Sequence, residues 1–264
     1  MCSYRLIPGL DLLIPFDADS PPDNYLLNLF CCKRDRTERL ASRGVLLDSV
    51  ARLPATGTER FKDIEEKVRN GGAYGWRNVL AGLPYGTRLA PLWEQTMAKG
   101  NSAEVDEALS FYAISRDPSL SSSERFAALE ASLSIFKQLC ERQPSYLRLA
   151  SLARVARDYG ARAISVGALQ QLSHAIVQHN TVDPSEPFLA PAERFESIPP
   201  GEAIGNWVFA AVLEEFERLG SFSSFYTGVS ARPRLEIIRA LGFGSTEMER
   251  RLRLLQKRFG LPAP

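Results

Sequence analysis

The side chains that most often carry out catalysis are scarce in this sequence. Its two histidines, His174 and His179, are five residues apart in a predicted helix, so they point about 140° apart around the helix axis. Two histidines four residues apart lie on one face of a helix and can bind the same metal ion, but a spacing of five residues does not favour this. We therefore interpret each histidine as a packed or exposed structural residue.

The cysteine pattern does not predict a metal or redox centre either. The chain has four cysteines, and the one close pair, Cys31 and Cys32, is directly adjacent, unlike the spacing of a CxxC site. On a predicted strand these two side chains point to opposite faces, and we interpret them as a buried structural pair. The low use of cysteine indicates a reducing, cytoplasmic compartment.

The sequence also lacks the common motifs of nucleotide and acyl chemistry. It contains no P-loop, no GxSxG, no HExxH, and no GxGxxG after a predicted strand. Carboxylate pairs such as Glu65-Glu66 and Glu214-Glu215 lie on amphipathic helices among Lys and Arg, so we interpret them as solvated helix faces. No combination of nucleophile, base and orienting group therefore supports an independent helical enzyme.

Two features near the C-terminus are candidates for a partner-binding surface. The last predicted helix has a basic cluster that begins with Arg250 and Arg251. This cluster indicates one of two things. The helix either binds an acidic partner or is a solvated C-terminal helix, in which the cations interact favourably with the helix dipole. The short connection at 221–226 contains Phe222, Phe225 and Tyr226, which either form a contact surface or close a helical layer.

Composition limits the class of protein. The chain has 264 residues with 32 Lys+Arg against 31 Asp+Glu, a net charge of +1, which argues against a nucleic-acid-binding protein. The apolar stretch at the N-terminus is interrupted by Pro8, Asp11 and Pro15, and no run of about 18 apolar residues could span a membrane. We expect a soluble protein that is neither secreted nor embedded in a membrane.

The hydrophobic pattern predicts a mainly α fold that is preceded by a small N-terminal β-hairpin. Short apolar runs separated by turn residues occupy positions 4–33, a pattern typical of strands joined by loops. From residue 35 onwards the apolar residues recur at helical spacing. Ser121 with Glu124 has the spacing of a capping box, and so has Thr246 with Glu249 at the last helix.

We divide the chain into four segments: a strand-rich remnant at 1–48, a helical domain at 49–180, a proline-rich linker at 181–200 and a C-terminal helical segment at 201–264. The proline density of the linker excludes helix, so it either connects over the surface or wraps the preceding helices. The helices between 121 and 179 have very short connections, including a predicted helix end at Gly160. They indicate either a helical bundle or a short tetratricopeptide-like solenoid.

Two groups of short motifs occupy the ends of the chain. The first group is YRLIPGL (4–10), LLIPFD (12–17) and NLFCCK (28–33), and the second is PFLAPAERF (187–195), SSFY (223–226), LGF (241–243) and MERR (248–251). The first group resembles the closing strands of the FkbM-type S-adenosylmethionine-dependent methyltransferases of bacteria. The second resembles the helical extension that follows this domain in some large members, which are associated with sugar or polysaccharide modification.

The resemblance implies a non-catalytic C-terminal module of such a methyltransferase. The Gly-rich cofactor loop of the family has no counterpart in this sequence, so S-adenosylmethionine would bind only to a catalytic domain supplied elsewhere. The chain would then be a fragment, a split subunit or a separately encoded tail, and the missing methyltransferase sheet would cover the apolar face of the hairpin. The alternative is a free-standing tetratricopeptide-like scaffold that binds a protein partner.

Overall fold

A computed structural model describes residues 2–19, 23, 28–47, 59–69, 74–99, 102–179, 181–220 and 229–260. Within them the chain forms eleven α-helices behind a small β-sheet, which confirms the predicted fold class. The strands and 3-10 helices are β1 (Cys2–Ile7), β2 (Leu12–Pro15), β3 (Phe30–Cys32), Pro8–Leu10 and Glu193–Ser197. The α-helices are α1 (Arg34–Ser42), α2 (Glu59–Arg69), α3 (Trp76–Leu80), α4 (Pro84–Met97), α5 (Ala103–Ser115), α6 (Ser122–Arg142), α7 (Tyr146–Tyr159), α8 (Arg162–His179), α9 (Ile204–Gly220), α10 (Ala231–Ala240) and α11 (Thr246–Phe259).

The N-terminal sheet is antiparallel and has the strand order β2-β1-β3. β3 pairs with β1 beside the predicted hairpin, and it lies in one of the apolar runs that the sequence pattern interprets as strands. The other edge of the sheet is also occupied, because Leu13 N donates to Val45 O at 3.0 Å and Leu47 N donates to Leu13 O at 2.8 Å. Ile7 and Leu12 join the main hydrophobic cluster of the helices.

The 3-10 turn after β1 places the sheet against the C-terminal end of α7. Gly9 approaches α7 so closely that a Cβ at this position would lie 2.5 Å from Asp158 Cβ. Arg5 Nη1 donates to Tyr159 O at 3.1 Å, which fastens β1 to the same helix end. The N-terminal sheet therefore packs against the helices of this chain.

The long helices follow the local signals of the sequence. At the start of α6, Ser121 N donates to Glu124 Oε2 at 2.9 Å and Glu124 N donates to Ser121 Oγ at 3.3 Å, which confirms the predicted capping box. At the end of α7, Gly160 has a φ of 83°, a left-handed conformation that glycine adopts without strain. The predicted helix end at Gly160 is therefore confirmed.

The segment between α8 and α9 wraps the helices, which is one of the two alternatives that its prolines left open. Phe188 and Phe195 are completely buried. Trp93 Nε1 donates to Pro184 O at 2.9 Å and the Tyr85 hydroxyl donates to Phe188 O at 3.0 Å. Helical side chains thus supply the hydrogen bonds that a buried extended backbone requires.

One hydrophobic cluster includes residues from all four predicted segments. Ile7, Leu133, Phe188 and Trp207 belong to it, and each comes from a different segment. Packing therefore continues across every one of the predicted boundaries. The four segments describe changes of sequence pattern within a shared core.

Replacing Gly9 with alanine should destabilise the protein, because the added methyl group must displace the start of the Asp158 side chain. We expect a loss of about 1–3 kcal/mol in the free energy of unfolding, measured by urea denaturation. The matched control is Gly167→Ala in α8, where an added Cβ meets no atom within 4 Å. The control should be neutral or stabilising by up to about 1 kcal/mol, so equal losses in the two variants would contradict the close approach at Gly9.

Candidate functional site

The last helix, α11, packs one face on the protein and leaves the other face exposed. Ser245 Oγ accepts a hydrogen bond from Met248 N at 3.3 Å, so the helix is capped by Ser245, one residue before the predicted Thr246. Met248, Leu252 and Leu255 are buried, and their spacing places them on one face of the helix. The remaining positions of α11 therefore form its outer face.

The outer face of α11 is basic. Arg253, Lys257 and Arg258 are exposed, and Leu254 between them is 43% exposed. Within Thr246–Phe259 the sequence has five Lys or Arg and two Glu, a net charge of +3. The exposed side of the last helix is thus the kind of surface that attracts acidic groups.

The two predicted partner-binding arginines of α11 share one carboxylate but point in different directions. Arg250 Nε lies 2.7 Å from Glu247 Oε2, and Arg251 Nε lies 3.0 Å from Glu247 Oε1. The hydrogen bonds from these arginines lower the pKa of Glu247 to about 2. The Arg250 side chain is 49% exposed and the Arg251 side chain is 16% exposed. Arg250 therefore belongs to the outer face, whereas Arg251 turns towards the body of the protein.

Arg251 lines an open cleft of about 290 Å³ that α9, α10 and α11 form with the second 3-10 helix. The lining residues are Arg194, Glu214, Glu217, Arg218, Leu235, Ser245, Glu247, Met248 and Arg251. Leu235 and Met248 provide its apolar part. Arg218 is exposed to solvent and interacts electrostatically with Glu215 on the same helix.

The carboxylates of α9 contradict the prediction that Glu214 and Glu215 form a solvated face. Both side chains are buried, as is Glu217. Arg194 Nη2 lies 2.5 Å from Glu214 Oε2, and Arg234 Nη2 lies 2.7 Å from Glu217 Oε2. These arginines come from other elements of the chain, so the sequence around α9 carries no sign of them.

The third carboxylate of α9, Glu215, faces a buried group of charges on α7. Arg157 Nη1 lies 3.6 Å from Glu215 Oε1, and Glu215 Oε2 has no hydrogen-bond partner among the described residues. Burial raises the pKa of Glu215, and Arg157 offsets part of that effect. Burial also acts on Asp158, but the charges of Arg154 and Arg157 outweigh it and hold the pKa of Asp158 below its ordinary value.

The sequence also singled out three aromatic residues and two adjacent cysteines. Phe222, Phe225 and Tyr226 lie outside the described residues, so their role in binding stays a prediction. Cys31 is exposed and Cys32 is buried. The predicted opposite orientation of the two cysteines is thus confirmed, whereas the prediction of a buried pair is wrong for Cys31.

Within the described residues, no group of three or more His, Cys, Asp or Glu side chains is arranged to hold a metal ion. Among the described helices, none combines the length and the apolar composition that crossing a bilayer requires. The chain matches no family model, no curated protein and no solved structure.

Replacing Arg194 with methionine should destabilise the protein by about 3 kcal/mol, because the buried carboxylate of Glu214 would lose its charged partner. Urea denaturation measures the effect. The matched control is Arg77→Met, which breaks a pair with Glu94 in which both side chains are more than half exposed; that change should cost less than about 1 kcal/mol. The double variant Arg194→Met/Glu214→Gln should recover part of the loss. Equal small losses for the two single variants would show that Glu214 does not depend on Arg194.

Proposed function

We propose that this chain is a non-catalytic helical module that binds an acidic protein partner through the basic outer face of α11. The observation that carries this proposal is the local excess of positive charge on α11, which has a net charge of +3 in a chain whose total is +1. The resemblance to the C-terminal region of FkbM-type methyltransferases adds support. In that setting the module offers an interaction or substrate-positioning surface, and methyl transfer takes place in a separate catalytic domain that binds S-adenosylmethionine.

The arrangement of the outer face suits a macromolecular partner. Arg250, Arg253 and Lys257 follow one another at spacings of three and four residues, so they form a continuous row on the helix. The exposed Leu254 stands in this row and offers an apolar contact within the charged surface. A row of this kind steers an acidic partner into position and sets its orientation more than it adds to the final affinity.

A second candidate is the free-standing tetratricopeptide-like scaffold, and the order of helix packing favours it. From α5 to α9, each helix packs against the next helix along the chain, which is the packing order of a solenoid. On this reading the partner is a protein other than a methyltransferase domain. The two candidates differ in the partner whose binding depends on α11. The first candidate predicts a methyltransferase domain, and the second predicts another protein.

Reversing the charge of the outer face should remove partner binding. The variant Arg253→Glu/Lys257→Glu changes two exposed side chains of α11, and the control Arg36→Glu/Arg39→Glu changes two exposed side chains of α1. In affinity capture from the source cells, we expect the wild-type chain and the control to retain an acidic protein that the α11 variant retains at least tenfold less. Retention should also fall as salt screens the charges. Equal retention by all three chains would contradict the proposal.

The purified chain should not bind S-adenosylmethionine. Calorimetric titration of the cofactor into the chain should give no saturable heat, because the proposal assigns cofactor binding to another domain. The control is the same titration into the chain together with its captured partner, which should give saturable heat when that partner is a methyltransferase domain. Saturable binding to the chain alone would overturn the non-catalytic assignment.

A further inference from the structure

We infer that Cys2 on β1 and Cys32 on β3 form an intramolecular disulfide when the chain is oxidised, and that this bond holds α1 against the N-terminal sheet. The site is separate from α11 and goes beyond the proposed partner binding. Three observations point to this bond: the register of the two strands, the placement of the four cysteines and the position of Cys32 just before α1.

Cys2 and Cys32 lie directly opposite each other in the antiparallel pair of β1 and β3, so their side chains are on the same face of the sheet. Opposite residues of such a pair have Cα atoms about 4.5–5.5 Å apart, within the range of roughly 4.4–6.8 Å that a disulfide spans. Their Cβ atoms are about 4.5–5.5 Å apart, whereas a disulfide needs about 3.5–4.5 Å. An approach of about 1 Å between the two strands therefore allows the bond to form.

The Tyr4 side chain gives further support for this arrangement. Burial raises the pKa of Tyr4, and electrostatic interactions with Cys2 and Cys32 add to the rise. Both thiols are therefore close to the same side chain, on the face of the sheet that packs against α1. Cys2 is exposed whereas Cys32 is buried, so an oxidant from solution reaches Cys2 first.

The other two cysteines of the chain do not compete for this bond. Cys31 is opposite Ser3, on the other face of the sheet, and its Sγ lies 3.8 Å from Ser3 Oγ. Cys140 lies on α6, and burial raises its pKa to about 12. It therefore remains protonated, which is the unreactive form of a thiol. The placement of the four cysteines thus favours the pair of Cys2 and Cys32.

Exchange with a small disulfide such as oxidised glutathione supplies the oxidation. The Cys2 thiolate attacks one glutathione sulfur, so that a mixed disulfide forms and one glutathione leaves as a thiolate. Cys32 then loses its proton and attacks Cys2 Sγ, which forms the bond between Cys2 and Cys32 and releases the second glutathione. The two protein thiols lose two electrons in total. Oxidised glutathione gains them and becomes two thiols, which take up the two protons.

The disulfide stabilises the attachment of α1 to the sheet. α1 contains no buried residue. It contacts the sheet through the partly buried Leu40 and Ala41 and accepts a hydrogen bond at Thr37 Oγ1 from the Tyr4 hydroxyl at 3.3 Å. An element with few buried apolar groups opens locally at a low cost in free energy. Cys32 lies two residues before the first residue of α1, so a covalent bond from Cys32 to β1 restricts the separation of α1 from the sheet.

Peptide mapping by mass spectrometry identifies the bond. When the purified, dilute chain is incubated with oxidised glutathione, we expect it to gain one intramolecular disulfide, while Cys31 and Cys140 still react with an alkylating agent. Cys2→Ser and Cys32→Ser should each lower the yield of this form at least tenfold, whereas the matched control Cys31→Ser should leave the yield unchanged. Because Cys2 is exposed, its replacement by serine tests the bond without disturbing the core.

Hydrogen exchange measures the consequence for α1. The amides of α1 should exchange at least tenfold more slowly in the oxidised chain than in the reduced chain, and dithiothreitol should restore the faster exchange. Cys31→Ser should respond in the same way, and Cys2→Ser should not respond. The inference is overturned if no intramolecular disulfide forms, if the bond involves Cys31 or Cys140, if it links two chains, or if oxidation leaves the exchange of α1 unchanged. It fails independently of the proposed function, because none of these variants changes α11.

Discussion

The fold depends on a group of charges that is buried at the C-terminal end of α7. Arg154 Nε lies 3.3 Å from Asp158 Oδ2, and both side chains are almost completely buried. The Tyr112 hydroxyl donates to Asp158 at 2.8 Å, and Arg154 Nη1 donates to Ala190 O at 3.2 Å. A buried charge without partners costs several kcal/mol, so α5, α7 and the segment 181–200 are stable only in positions that complete this group.

The same constraint shapes the C-terminal layer. Glu214 and Glu217 are buried on α9, and each requires a cation from another element of the chain. Arg194 brings the second 3-10 helix to Glu214, and Arg234 brings α10 to Glu217. Because guanidinium groups bind carboxylates in a fixed planar geometry, these pairs fix the position of both elements on α9. The cleft beside α11 is the space that remains between them.

The two faces of α11 have different environments. The sequence identified the basic cluster as a candidate surface, and that surface is present on the outside of the helix. Adjacent arginines nevertheless have different environments, since Arg250 is exposed to solvent while Arg251 lines the cleft. The outer face carries exposed cations, whereas the lining of the cleft includes as many glutamates as arginines. One short helix therefore contributes both to an exposed basic surface and to the wall of an open cleft.

The sequence by itself determined the helical class, the capping box at Ser121 and the helix end at Gly160, because each depends on residues within one or two turns of the chain. Only the tertiary structure decided that Glu214 is buried and that the segment 181–200 belongs to the core. A hydrophobic pattern distinguishes apolar from polar positions, but it does not show whether a polar side chain faces water or an opposite charge. For Glu214 that charge is Arg194, which is 20 residues away and on a different element, so only folding brings the two together.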